Sequence, residues 1–169
     1  GLGDVYKRQI MNYPFIIHKS VVSSQVDFNQ HMHDAEYNSV FSEVISEFNH
    51  YNGLSLKERE ALNYTTFTVE EHTTYLKELH FEESFSVRVR IYNYDEKRVH
   101  FFLELFKNDE TLAATSEIMM MGINRSTRRP ASFPAHYKSN IQIYYDSQYD
   151  KRWPKSLGHQ IGIPKKGEA

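Results

Sequence analysis

Residues 34–53, DAEYNSVFSEVISEFNHYNG, decide the fold. Within them Tyr37, Val40, Phe41, Val44, Ile45 and Phe48 recur at the i, i+3, i+4, i+7 spacing that gathers apolar side chains on one face of an α-helix. Asp34 stands where an N-cap would satisfy free backbone N–H groups, and Asn52-Gly53 is a stop signal. The chain has one such long amphipathic helix, so another layer must cover its apolar face.

Strands flank it on both sides. Upstream, Phe15 to Val22 is β-branched and aromatic and ends in the polar Ser23-Ser24-Gln25. Downstream, Ser55 and Glu58 form a capping-box pattern opening a short connecting helix through Leu62. Four extended runs follow, Thr65 to Leu79, Phe85 to Tyr94, Arg98 to Lys107 and Thr111 to Asn124, separated by Glu82-Glu83, Asp95-Glu96 and Asn108-Asp109. Phe85, Val87, Val89 and Ile91 alternate with Ser86, Arg88 and Arg90, and Val99, Phe101, Leu103 and Leu105 share one face of the next run. Phe102 and Phe106 point the other way, so part of the outer face is expected to be covered too, with a second subunit as the candidate cover. Five strands and one long helix predict an α+β architecture, a curved antiparallel sheet wrapped around the helix.

Beyond Asn124 comes a turn-rich segment from Arg125 to Pro134, a short helix near Ile141 and an irregular tail. The expected organisation is a leader over residues 1–10, one domain over 11–135 and an extension over 136–169 that packs on the domain or at an interface. The leader lacks apolar periodicity and precedes Met11, a plausible start, so it reads as non-native or disordered.

Composition narrows the function classes. At 169 residues, 40% of them apolar, the chain makes one compact domain. It contains no cysteine, which excludes disulfides, thiolate nucleophiles and Cys-ligated zinc and fits a reducing, cytoplasmic compartment. The longest apolar run, Ile118 to Ile123, is six residues, against the ~20 of a membrane-spanning helix, so no membrane partner is expected. Net charge is -2, with 19 acidic and 11 basic residues up to position 124 and 3 and 9 after it. Nucleic acid is not an expected partner, because phosphate neutralisation along a groove needs a broad basic face. The basic tail suits a small anion.

The densest group of polar side chains is Asp27-Phe28-Asn29-Gln30-His31-Met32-His33-Asp34, directly before the long helix. One reading makes His31, His33 and Asp34 metal ligands, as in the His-x-His-x-Asp-His pattern of dinuclear hydrolases, but Glu36 replaces the final histidine. A second makes them turn and cap residues. A third is acid–base chemistry, with Asp27 as the carboxylate and the helix's free N–H groups polarising a carbonyl oxygen. Gly-x-Ser-x-Gly, phosphate-loop and His-Glu-x-x-His motifs are all absent, so the cluster has no rival.

Val26-Asp27-Phe28-Asn29-Gln30-His31-Met32-His33-Asp34-Ala35-Glu36-Tyr37 resembles the Asp-x-Asn-x-His-(Met/Val)-x-x-x-x-Tyr signature of hotdog-fold thioesterases, which include acyl-ACP and 4-hydroxybenzoyl-CoA types. The resemblance continues through Tyr75-Leu76-Lys77-Glu78, Lys97 to Leu105, Ala114-Thr115-Ser116-Glu117 and Arg128-Arg129-Pro130 with Phe133-Pro134. Within the family it points to the thioesterases associated with carnitine dehydrogenase, which act on betainyl-CoA.

The resemblance implies the hotdog fold and an acyl-CoA thioesterase that uses neither metal nor prosthetic group, CoA entering only as part of the substrate. It implies Asp27 as the catalytic carboxylate, Asn29 and His31 as the pair that positions water or thioester, and Glu78 as a second carboxylate. N–H groups near Ala35 would hold the oxyanion. Tyr37 and His33 would line the substrate site, and Arg125, Arg128 and Arg129 would grip CoA phosphates. Trp153 and the tyrosines could cage a trimethylammonium group. Gln30 departs from the family, standing where many relatives have Gly, as does His33-Asp34 in place of a common Asn-Asn pair. Unpaired strand edges and the aromatic outer face imply a homodimer or homotetramer. A non-catalytic module binding acyl-CoA or a small acid, and a hotdog hydratase acting on an enoyl thioester, are the alternatives.

Overall fold

The computed structural model describes residues 12–167, so the proposed leader over residues 1–10 lies outside the described residues. The elements are β1 (Phe15–Ser20), a 3-10 turn (Ser23–Gln25), α1 (Asp34–Tyr51), α2 (Leu56–Leu62), β2 (Tyr64–Tyr75), β3 (Ser84–Tyr94), β4 (Arg98–Lys107), β5 (Leu112–Asn124) and α3 (Ala135–Ser147). The strands form one sheet in the order β1-β3-β4-β5-β2, antiparallel at every pairing. Register shifts at Thr68/Glu70, Ile91/Asn93 and Leu105/Phe106 put an irregularity in three strands, the device by which a sheet bends.

The helix stripe read from the sequence is the one that is buried, and it packs with Phe85, Val87, Val89, Ile91, Val99, Phe101, Leu103 and Leu105 of the sheet. The sheet wraps one long helix, as expected. Among the described residues no helix is long and apolar enough to cross a membrane.

Three local expectations are corrected. His33, not Asp34, is the N-cap of α1, because His33 keeps an extended backbone and Asp34 is already helical. The run Thr65 to Leu79 stops as a β2 strand at Tyr75. The N–H groups of Leu76 and Lys77 then converge on one carbonyl, that of Ala113, and the following residues leave the sheet.

The third correction concerns the C-terminal region. The short helix near Ile141 is a 13-residue element, α3, whose Tyr137, Ile141 and Tyr144 are fully buried in the same core as α1. The Tyr144 hydroxyl donates to the Val89 carbonyl and accepts the Phe15 N–H at 3.0 Å, linking α3 to β3 and β1. Burial pushes both tyrosine hydroxyls, Tyr137 and Tyr144, far above their usual range.

Part of the outer aromatic face, around Phe102, is covered by this chain's own tail. Trp153 sits edge-on to Phe102, and the Arg90 guanidinium lies 3.8 Å from the Trp153 ring centre. Arg90 donates to the Asp150 carbonyl at 2.9 Å and Arg88 to Glu104 at 2.9 Å. Further on, Ser156 pairs with Thr115 at 2.7 Å and Gly158 N–H donates to Glu117 at 2.7 Å. Residues 150–158 thus form a strap across the convex side.

The loop before α1 is a tight hairpin. Gln30 N–H donates to the Asp27 carbonyl and Asp27 N–H to the His31 carbonyl, both at 3.0 Å. Gln30 takes φ +63°, the left-handed position of a type I turn with a following bulge. A glycine there in relatives therefore has a conformational reason.

Two stability outcomes follow. Gln30→Gly relieves a left-handed cost of roughly 1–2 kcal/mol, partly offset by about 0.5–1 kcal/mol of glycine entropy, so the urea midpoint should rise slightly. Tyr144→Phe strands the Phe15 N–H and should lower stability by about 1–3 kcal/mol in the same titration.

Candidate active site

The hairpin is one edge of a small three-stranded patch that the sequence did not reveal. Val26 bridges Met32, and His31 bridges His80, both antiparallel. Met32 N–H donates to the Leu79 carbonyl at 2.8 Å and Phe81 N–H to the Gln30 carbonyl at 2.9 Å. The residues after β2 therefore turn away from the sheet to pair with the loop, and this carries Glu78 and His80 to His31.

Asp27 holds the loop from inside. Its Oδ1 accepts the N–H groups of Asn29 at 2.9 Å and His31 at 3.2 Å, while Oδ2 has no hydrogen-bond partner among the described residues. One carboxylate oxygen is structural and the other is available for chemistry. Asn29 is exposed at the turn, and next to it Phe28 is 91% exposed.

His31 joins the two carboxylates. Its backbone N–H meets Asp27, and its Nδ1 lies 3.5 Å from Glu78 Oε2. Its ring is edge-on to His80 at 4.6 Å between centres. His80 escaped the sequence reading; its signal was the spacing Glu78-x-His80, which puts both side chains on one side of an extended segment.

The start of α1 is only partly open. Ala35 N–H is engaged by Asp34 Oδ1 at 2.9 Å and His33 Nδ1 at 3.3 Å, and Glu36 N–H by the His33 carbonyl at 2.9 Å. The Asp34 N–H has no acceptor among the described residues, which leaves it as the donor free at this helix end. His33 thus serves as a cap, and the set His31, His33 and Asp34 is not brought together; His31, Glu78 and His80 are, with ligand atoms within 4.8 Å of one another.

A cavity of about 470 Å³ opens at this helix end, lined by Met32, Asp34, Tyr37, Tyr75, Lys77 and Glu78 among others. Tyr37 is buried, accepts the Leu79 N–H at 3.3 Å, and meets Tyr75 edge-on at 5.2 Å. Burial raises its hydroxyl above the usual tyrosine range, so it stays a neutral wall. A larger groove of about 930 Å³, between β1, β3 and β4, contains none of the polar cluster.

Arg125, Arg128 and Arg129 lie in the exposed turn after β5, shaped by Asn124 Oδ1 accepting the Ser126 and Thr127 N–H groups. The Arg128 guanidinium rests over Phe67 at 4.9 Å. Phe67 and Tyr75 are eight residues apart on β2, or ~26 Å at ~3.3 Å per residue. Within one chain the arginines and the Asp27 loop therefore stand at opposite ends of that strand. Trp153 is also remote in function, since the Arg90 guanidinium occupies its face under the strap.

A family model described as the thioesterase-like superfamily matches residues 21–141. The betainyl-CoA thioesterase of Pseudomonas aeruginosa is 28% identical over 145 residues, 85% of this chain and 91% of that protein. A Staphylococcus aureus protein characterised in complex with CoA is similar at a TM-score of 0.89 and 53% identity, covering 90% of this chain and 97% of that one. The 1,4-dihydroxy-2-naphthoyl-CoA thioesterase of Synechocystis shares the fold, with a TM-score of 0.70 and 15% identity over 76% of this chain and 96% of that one. The matched span takes in the Asp27 loop, the central helix and every strand after β1; this chain belongs to the thioesterase-like superfamily.

Proposed function

We propose that the protein hydrolyses an acyl-CoA thioester to the free acid and CoA. The observation that carries this reading is a carboxylate with one oxygen unengaged, placed on the loop that feeds a partly open helix N-terminus and its cavity. Asp27 Oδ2 takes a proton from water as it attacks the carbonyl carbon, and that proton passes to the CoA sulfur as the C–S bond breaks and the tetrahedral intermediate collapses to the acid. The Asp34 N–H, at the positive end of α1, receives the developing oxyanion. His31 and Asn29 orient the water, with Glu78 acting through His31 at 3.5 Å. The chemistry needs no metal and no prosthetic group.

For the acyl group, betainyl is the reading supported by the Pseudomonas aeruginosa relative. The cavity suits it: the Tyr37–Tyr75 pair offers aromatic surface and Glu78 a negative charge, which together favour a quaternary ammonium.

A homodimer completes the site, and pairs of dimers give the tetramer. Strand β2 is at the sheet edge, and its residues 67–71 are exposed. Antiparallel pairing of two β2 edges about a two-fold axis brings the arginine end of one copy to the Asp27 end of the other, where basic groups meet the CoA phosphates.

Asp27→Asn is the decisive variant, because the amide oxygen keeps both loop hydrogen bonds while the base is lost. Turnover on a panel of betainyl-, short-chain, long-chain and aromatic CoA thioesters should fall about 10²–10⁴-fold, read as thiol release, with an unchanged melting curve. Activity near wild type in that variant would remove Asp27 from the mechanism. Silence of the folded wild type on the whole panel would point to a binding module, and loss of enoyl absorbance without thiol release to a hydratase. Tyr75→Ala should lower kcat/KM for betainyl-CoA about 2–5-fold against a neutral acyl group of equal length, as expected for a cation–π contact of about 0.5–1 kcal/mol at an exposed ring. Light scattering should give two chains or four; a fully active monomer contradicts the shared site.

A further inference from the structure

We infer that His31, Glu78 and His80 form a binding site for a divalent cation of the zinc class, and that its occupancy stops hydrolysis. The second half rests on the function proposed above; the first does not.

The geometry is built into the backbone. His31 and His80 face each other in an antiparallel pair, and the flanking bonds run from Met32 N–H to Leu79 and from Phe81 N–H to Gln30. That pattern makes them a non-hydrogen-bonded pair, the kind whose side chains stand closest, with Cα atoms ~4.5 Å apart. Both imidazoles therefore rise from the same face, 4.6 Å between ring centres. Glu78 reaches the same point, 3.5 Å from His31 Nδ1.

Ligands ~2.0–2.1 Å from a tetrahedral ion stand ~3.4 Å from one another. The His31–Glu78 separation of 3.5 Å already meets this, and the whole set lies within 4.8 Å, so side-chain rotation closes the rest. Two neutral imidazoles and one carboxylate are a donor set that zinc, cobalt and nickel ions accept, leaving a fourth position to water. Among the described residues no other three His, Cys, Asp or Glu side chains come this close. His80 is exposed and lies outside the hydrolytic set, so its replacement removes a ligand without touching the proposed chemistry. Coordination of His31 and Glu78 withdraws both from orienting water.

The test uses untagged protein stripped with chelator, titrated with Zn²⁺ by calorimetry and with Co²⁺ by visible absorption. Hydrolysis is followed by loss of thioester absorbance, since a free thiol would itself bind zinc. One ion per chain is expected, with a tetrahedral Co²⁺ spectrum. His80→Ala should weaken binding by more than the ~10–100-fold that even an outer-shell partner is worth. Wild-type turnover should fall in step with occupancy, and the His80→Ala protein should hydrolyse equally well with or without metal. Absence of stoichiometric uptake, or uptake unchanged in His80→Ala, overturns the site. Uptake with undiminished turnover overturns the inhibition. A protein that cleaves no thioester refutes the function, and the Co²⁺ spectrum still decides the site.

Discussion

Everything at the candidate site hangs on one carboxylate oxygen. Asp27 Oδ1 gathers the N–H groups of Asn29 and His31, and that double acceptance fixes a turn whose next residue, Gln30, is left-handed. Once the turn is fixed, residues 31–33 run straight enough to pair with residues 79–81 on one side and to cap α1 on the other. A single anion thus sets the direction of the central helix, the position of the second carboxylate and the exposure of its own remaining oxygen.

The core supports this arrangement from behind. The apolar stripe of α1 is buried along its length against the sheet, so the helix cannot slide toward or away from the loop without opening the core. Tyr37 links the two regions: its ring belongs to the core, while its hydroxyl takes the N–H of Leu79, in the segment that carries Glu78 and His80. Packing and site geometry are therefore coupled through one side chain.

Much of this was legible in the sequence. The i, i+3, i+4, i+7 stripe of α1 and the alternation in β3 and β4 gave the architecture, because those periodicities are direct consequences of burying one face. Two things were hidden. Tyr137, Ile141 and Tyr144 do carry helical spacing, but tyrosines among Lys, Asn, Gln and Asp read as surface unless their hydroxyls are known to be satisfied inside, as Tyr144 is by Val89 and Phe15. The run through Leu79 kept strand chemistry while changing partners, from β5 to the Asp27 loop; side-chain pattern cannot report which backbone a strand pairs with. The same exchange of partners is what brings His80 beside His31.

The strap of residues 150–158 keeps a cation out of water. By laying Trp153 over Arg90 and Phe102 and tying Thr115 and Glu117 to Ser156 and Gly158, the chain uses its own tail to close the middle of its convex surface. Peeling the strap away would strip the Arg90 guanidinium, 1% exposed beneath it, of both the Asp150 carbonyl and the Trp153 ring, so the tail is the solvent-proof cover of a buried charge.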